Sequence, residues 1–311
     1  MMKYKKIITL SIGIPILLGG CINLDVGNHD KNGEKTEANS QAEYNQNLIS
    51  VQDYTGQGYE LDGGEETTKI AEAHREEIEK AVKTFFLDKY KTKVKVHHIV
   101  GALNAASVFV ESEGEPHFHT YAVVPIDVEK QEVKIDKVWS EEGQVEDAIR
   151  TGIYAMVYDK EFKVLDQYLK EFSAKHNLVG LTKEAVENVG GSGYSTPYYY
   201  ISMSPGVFSG INLSEMYLEK PDRSKKEWEK ILINQKMNEK SIDITIQLFL
   251  ENKNVEPDPS IIEQISKDIK KMDGLPLGIY SVLLHDNMIG KQTARGSKDN
   301  SLDSEEIIKD K

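Results

Sequence analysis

Cysteine is almost absent from this chain of 311 residues, which contains one, Cys21. A single cysteine cannot close a disulfide within the chain, so packing and hydrogen bonds have to hold the fold together. Long apolar runs are scarce as well. The run at 7–18 has twelve residues, whereas a membrane-spanning helix needs about 20. The sequence therefore excludes an internally disulfide-bonded domain and indicates that this run is not a transmembrane helix.

Sequence motifs of known catalytic sites are also missing. There is no HExxH, no SxxK and no calcium-loop spacing. The glycine-rich stretch GGSGYSTP at 190–197 lacks the lysine and the following helix of a phosphate-binding loop, so it predicts a turn. These absences favour a non-enzymatic protein, and we expect no cofactor.

Basic residues are fewer than acidic ones. The chain has 38 Lys and Arg against 51 Asp and Glu, for a formal net charge of −13. Such a surface repels nucleic acid and anionic lipid headgroups, which argues against nucleic acid as a partner.

The first 21 residues contain the clearest signal. Three lysines precede the apolar run, which ends in Leu18-Gly19-Gly20-Cys21. A run of this length matches the core of an export signal. The segment resembles a bacterial lipoprotein signal peptide of the lipobox type. That resemblance implies cleavage before Cys21, a diacylglyceryl group on its sulfur and an acyl chain such as palmitate on its amine. The alternative is an ordinary secretory signal in which Cys21 occurs by chance.

Composition divides the chain into five predicted segments. Residues 1–20 are the signal peptide, and residues 21–60 are the lipidated cysteine and a flexible polar tether. Two domains are expected at 61–176 and 177–290, followed by a polar tail at 291–311. The membrane, reached through the lipid on Cys21, is the predicted partner. The extracytoplasmic face of the cell membrane is the predicted location.

The spacing of apolar residues in both halves predicts an α+β fold. Apolar residues at helical spacing indicate a long helix from 67 or 68 to about 90. Alternating strands then follow at 94–100, 105–111, 117–126 and 132–138. We expect the long helix to pack on this antiparallel meander, and a second, mixed α/β half to follow. Helix caps are predicted at Asp159, Thr182, Ser224 with Glu227, and Asp258.

Histidines provide the only candidate metal site. His117 and His119 are two residues apart on a predicted strand, so their side chains share one face of the sheet. His97 and His98 lie on a neighbouring predicted strand, and Glu113 and Glu115 offer carboxylate oxygens. We select His117, His119 and His97 as candidate ligands. The alternative is that these histidines face solvent while their apolar neighbours face the core.

Five stretches resemble an uncharacterised family of Gram-positive bacterial lipoproteins. They are YTGQGYEL at 54–61, VFVESEGEPHFHTYAVVPI at 108–126, WSEEGQVEDAI at 139–149, ENVGGSGYSTPYY at 187–199 and MDGLPLGIYSVLLHDN at 272–287. The resemblance implies a lipid-anchored extracytoplasmic protein and brings no activity or cofactor with it.

Three functions follow as expectations. The first is a non-enzymatic lipoprotein that binds a protein partner at the cell envelope. The second is a metal-dependent envelope enzyme that uses the strand histidines. The third is a solute-binding lipoprotein, which would need a deep apolar cleft between the two halves.

Overall fold

A computed structural model of the protein describes residues 47–310. That part of the chain forms eight α-helices and twelve strands, and the predicted α+β class is confirmed. The helices are α1 (Glu65–Ala73), α2 (Arg75–Tyr90), α3 (Gln144–Val157), α4 (Asp159–His176), α5 (Lys183–Val189), α6 (Leu213–Glu219), α7 (Lys225–Leu232) and α8 (Pro259–Lys271). The strands are β1 (Leu48–Ser50), β2 (Val94–Ala102), β3 (Ala105–Ser112), β4 (His119–Asp127), β5 (Glu132–Val133), β6 (Leu178–Val179), β7 (Tyr199–Met203), β8 (Ile242–Leu250), β9 (Gly278–His285), β10 (Met288–Gly290), β11 (Leu302–Asp303) and β12 (Ile307–Lys309).

The segment that is predicted to attach the protein to the membrane is not among the described residues. The predicted leader, Cys21 and the first part of the predicted tether lie outside the described range. Among the described helices, none has the length and apolar character needed to cross a bilayer.

The predicted long helix is divided in two. His74, with φ −112° and ψ 21°, separates α1 from α2. The stripe of apolar residues continues through α2, where Ile78, Val82 and Phe86 are fully buried. Their spacing of four residues places them on one face of the helix, which packs on β2 and β4.

The predicted meander is a four-stranded antiparallel sheet in the order β2-β3-β4-β5. One of its faces meets the helices through Val108 and Ala122, which are register partners and fully buried. The other face carries Phe109 and Tyr121, which are covered by Tyr59 and its neighbours. Both faces of the sheet are therefore buried over most of its width.

Helix α3 connects the two predicted halves. Its residues Val145, Ala148, Ile149 and Ile153 are fully buried, and it contacts β4 on one side and β7, α6 and α7 on the other. One hydrophobic core runs from α1 to β12, across the boundary predicted near residue 177.

A six-stranded mixed sheet forms the second layer. Strand β8 is its centre: it pairs in parallel with β9 through the crossover helix α8, and antiparallel with β6 and β7. Strands β11 and β12 both pair with β9, so residues of the predicted polar tail complete one edge of this sheet.

The end of the predicted tether belongs to the folded body. Strand β1 pairs with β10, with Ile49 opposite Ile289. Val51 and Tyr54 follow directly and are fully buried. Residues 47–60 therefore differ from the expectation of a flexible polar segment, because a few apolar side chains among the polar ones are enough to dock them.

Three of the four predicted caps are confirmed. The Thr182 hydroxyl accepts a hydrogen bond from the backbone N–H of Ala185 at 3.0 Å. Ser224 and Glu227 form the capping box at the start of α7. The Asp258 carboxylate accepts from a backbone N–H at the start of α8.

The predicted cap at Asp159 is wrong. Helix α4 starts at Asp159 itself, with Tyr158 in the capping position. Only Tyr158 separates α3 from α4, so Asp159 already has a helical backbone. Its carboxylate instead accepts from the ammonium group of Lys163 at 2.9 Å.

Candidate metal centre

Strand pairing brings the predicted histidines together at one end of the four-stranded sheet. His119 is the first residue of β4, and Glu111 on β3 is its register partner. His117 precedes His119 by two residues, and the two imidazole rings are 5.2 Å apart between centroids. Because register partners share a sheet face, Glu111 joins the two histidines.

A bulge in β2 adds His97 to this group. The register between β2 and β3 shifts between Val96 and His98, leaving His97 as the extra residue. A bulge of this kind re-aims a side chain. The His97 side chain is 5% exposed, and its Nε2 atom lies 2.8 Å from Glu111 Oε2.

Two groups of three residues converge here, and they share Glu111. In the first, Glu111, His117 and His119 present nitrogen and oxygen atoms that all lie within 4.8 Å of one another. His117 Nε2 is 3.7 Å from Glu111 Oε1. The second group consists of His97, Glu111 and Glu187.

Burial keeps His119 neutral at physiological pH. It lowers the pKa of His119 to about 4, and the neighbouring His117 acts in the same direction. His119 Nδ1 is buried and has no hydrogen-bond partner within residues 47–310. A neutral imidazole has one ring nitrogen with a free electron pair, so His119 can act as a metal ligand.

Glu111 is held in its charged form. Burial alone would raise the pKa of its carboxyl group. The hydrogen bond from His97 and the charges of His117 and His119 outweigh that effect and lower the pKa. An ionised carboxylate beside imidazole nitrogens is a donor set suited to a divalent cation.

Helix α5 supplies the fifth member of the cluster. Glu187 Oε2 lies 3.6 Å from His97 Nδ1, and Glu187 Oε1 lies 3.0 Å from the ammonium nitrogen of Lys183. The Glu187 side chain is 13% exposed. The cluster therefore draws on both predicted halves of the chain.

The glycine-rich stretch at 190–197 forms a turn, as predicted, and it also braces the cluster. Gly193 exchanges two backbone hydrogen bonds with His119, at 2.9 and 2.8 Å. Gly193 has φ +125°, and a Cβ atom there would lie 2.9 Å from the carbonyl oxygen of Ile201. This position therefore favours glycine.

The other predicted ligands do not join the cluster. The ring nitrogen Nδ1 of His98 lies 3.1 Å from the carbonyl oxygen of Asn188. Glu115 accepts a hydrogen bond from the backbone N–H of His117 at 3.2 Å. Glu113 lines a separate open groove beside α2.

Two members of the cluster were missed at the sequence level. Glu111 could have been found by pairing the third strand with the second, which places it opposite His119. Glu187 had no such signal, because only the packing of α5 on β2 and β3 brings it close.

The geometry of the first group fits a transition-metal ion. Zinc with bonds of about 2.1 Å and tetrahedral geometry has ligand atoms roughly 3.4 Å apart. The 3.7 Å separation of His117 Nε2 and Glu111 Oε1 is close to that spacing.

The tyrosines at the start of β7 divide between core and surface. Tyr199 is 2% exposed, and its hydroxyl donates to Asp166 at 2.9 Å. Tyr200 is 43% exposed. They do not form one exposed patch, because neighbours in β7 point to opposite faces.

Comparison with known proteins identifies the family. The family model described as "Protein of unknown function (DUF1672)" matches residues 41–309. No curated protein matches the chain. A crystal structure of a DUF1672 family protein from Staphylococcus aureus is similar, with a TM-score of 0.68 and 20% identity, over 85% of this chain and 99% of that one. At this identity the likeness shows a shared fold.

Proposed function

The chain belongs to the DUF1672 family, and from its own geometry we propose that it binds one transition-metal ion through Glu111, His117 and His119. The observation that carries the proposal is the convergence of an ionised carboxylate with a buried, unpaired and neutral imidazole. Within the described residues His119 Nδ1 has no hydrogen-bond partner. A cation is the partner that all three groups would accept.

The ligand types favour zinc or a similar ion over calcium and magnesium. Calcium and magnesium take oxygen ligands, whereas imidazole nitrogen suits zinc, iron, copper and nickel. Two histidines and one carboxylate also match the ligand set of several catalytic zinc sites.

Zinc titration of the purified chain, followed by elemental analysis, tests this proposal. We expect saturation at one zinc ion per chain in the wild-type protein. The His119→Ala variant should lose stoichiometric binding while its unliganded form keeps the far-UV circular dichroism of the wild type. His74→Ala is the matched control, because it removes a histidine that belongs to neither group. A wild-type chain that takes up no zinc would rule the proposal out.

A metal-dependent enzyme is the second candidate. Three protein ligands leave a tetrahedral ion with one open position, which is the feature of catalytic zinc sites. The side chain of His117 is 32% exposed, so the site has access to solvent. Cobalt-loaded protein tests this point: we expect azide to change its visible absorption, and an unchanged spectrum would indicate a closed, structural site.

We also propose that the body is attached to the extracytoplasmic face of the cell membrane by lipid on Cys21. The supporting observations are the basic leader and the lipobox-like Leu18-Gly19-Gly20-Cys21. Two or three acyl chains bind a bilayer durably, whereas one gives only marginal binding. The Cys21→Ser variant should appear in the soluble extracellular fraction. Retention of a cleaved serine variant in the membrane fraction would contradict the lipid anchor.

The protein partner and the solute receptor remain predictions. A cavity of about 420 Å³ is lined from both predicted halves, and its walls carry charged groups such as Asp159, Arg223 and Lys225. These walls differ from the apolar cleft expected for a solute receptor. Crosslinking in intact cells tests the protein partner.

A further inference from the structure

His97 lies between two carboxylates and is almost completely buried. Its side chain is 5% exposed. Its Nε2 atom is 2.8 Å from Glu111 Oε2, and its Nδ1 atom is 3.6 Å from Glu187 Oε2. It therefore connects the proposed metal ligand Glu111 with a carboxylate on a different element of the fold.

The contact between His97 and Glu111 has only one chemical interpretation as a hydrogen bond. An ionised carboxylate accepts and cannot donate, so His97 Nε2 carries the hydrogen. That bond occupies Glu111 Oε2. The other oxygen, Oε1, is the one that faces His117 Nε2 at 3.7 Å.

The distances argue that His97 orients a ligand rather than supplying one. The 2.8 Å separation is a hydrogen-bond length. It is well below the roughly 3.4 Å expected between two ligand atoms on one tetrahedral zinc ion. The 3.7 Å separation on the other side of Glu111 matches that spacing much better.

Helix α5 lies on the far side of His97. Glu187 faces His97 Nδ1 and is itself paired with Lys183, whose Nζ atom lies 3.0 Å from Glu187 Oε1. The chain of contacts therefore runs from Lys183 through Glu187 and His97 to Glu111. Carboxylates that ligate metals are commonly held by such outer partners, whose loss typically weakens metal binding 10- to 100-fold.

We propose that His97 and Glu187 are positioning residues of the metal centre, with His97 donating to Glu111 Oε2 so that Oε1 faces the ion. This inference rests on the proposed metal site at Glu111, His117 and His119. It also changes the role expected for His97 from the sequence, from ligand to orienting group.

Two substitutions at His97 separate orientation from simple loss of structure. Glutamine places a side-chain N–H near the position of Nε2, whereas methionine fills similar space without a donor. We expect zinc to bind His97→Met about 10- to 100-fold more weakly than wild type, still at one ion per chain. We expect His97→Gln to bind within about threefold of wild type. If His97 only filled space in the core, glutamine would restore zinc binding no better than methionine does.

Glu187→Gln provides a second measurement in case His97→Met fails to fold. It should weaken zinc binding by up to about tenfold while the melting temperature of the zinc-free protein stays near that of wild type.

Several results would overturn the inference. Unchanged affinity in a folded His97→Met protein would show that His97 has no positioning role, and unchanged affinity in Glu187→Gln would show the same for Glu187. Loss of all stoichiometric zinc in His97→Met, as expected for His119→Ala, would make His97 a ligand. Two zinc ions per wild-type chain, with one lost in His97→Met, would indicate a second site at His97, Glu111 and Glu187. A wild-type chain without zinc would instead remove the metal site itself.

Discussion

His119 and Gly193 hydrogen-bond to each other through both of their backbone groups, with N–O distances of 2.9 and 2.8 Å. The turn at 190–197 therefore holds the first residue of β4, and with it a proposed metal ligand. The position of the His119 side chain therefore depends on the backbone of Gly193.

Gly193→Ala should destabilise the protein by about 1–3 kcal/mol, because alanine is strained at φ +125° and its Cβ would lie 2.9 Å from a backbone oxygen. Chemical denaturation measures this difference. Gly191→Ala is the control, since its Cβ would have no neighbour within 4 Å. Equal stability of the two variants would contradict the account given for Gly193.

Asn287→Ala should destabilise the protein by about 2–4 kcal/mol. The Asn287 side chain is 1% exposed. It donates to the carbonyl oxygen of Leu250 at 2.9 Å and accepts from the Ser50 hydroxyl at 2.7 Å. The substitution removes both of these hydrogen bonds from a buried site. Denaturation of Asn47→Ala, which removes an exposed amide from the same segment, should give a difference within about 0.5 kcal/mol of wild type.

Acid should weaken the fold through His285. Burial lowers the pKa of His285 to about 4, Lys298 acts in the same direction and Asp286 opposes it. Between pH 6.5 and 4 the unfolded chain binds a proton at this position that the folded chain does not. Stability from this group is therefore complete above about pH 6.5 and is lost as the pH falls towards 4, by up to about 3 kcal/mol.

Unfolding free energies measured from pH 7 to pH 4 check this expectation. In His285→Asn the dependence on pH should be shallower by about one proton, while the amide retains a polar group near Ser301. Identical slopes for wild type and variant would show that His285 does not carry the effect.

Thr182→Ala should cost about 1–2 kcal/mol. The hydroxyl caps α5 by accepting from Ala185 N–H at 3.0 Å, and it donates to the carbonyl oxygen of Tyr54 at 2.5 Å. Thr182→Ser keeps the oxygen atom and should remain within about 0.5 kcal/mol of wild type. A serine variant as unstable as the alanine variant would assign the loss to the methyl group instead.

Local patterns in the sequence were sufficient to predict most of the helices and strands. Apolar and polar residues alternate from Ile242 to Leu248, which is the pattern of β8, and the Asp258-Pro259 pair predicts the start of α8. These signals depend only on neighbours in the chain. The break at His74 was missed because the apolar stripe continues across it without a proline or glycine.

The candidate site was only partly visible in the sequence. The spacing of His117 and His119 shows that they share a sheet face. The contribution of His97 depends on a bulge, which periodicity does not reveal. The contribution of Glu187 depends on where α5 docks, and that is decided by packing between segments far apart in the chain.

The contact between Ser50 and Asn287 joins residues 237 positions apart, and this sets an order of events during synthesis. Strand β1 leaves the ribosome early, yet its partner β10 is translated only after nearly all of the remaining body. Until then Val51 and Tyr54 have no complete pocket to enter. A nascent chain halted before Met288 would therefore expose an unpaired edge and two apolar side chains, which makes such intermediates natural clients for chaperones and proteases.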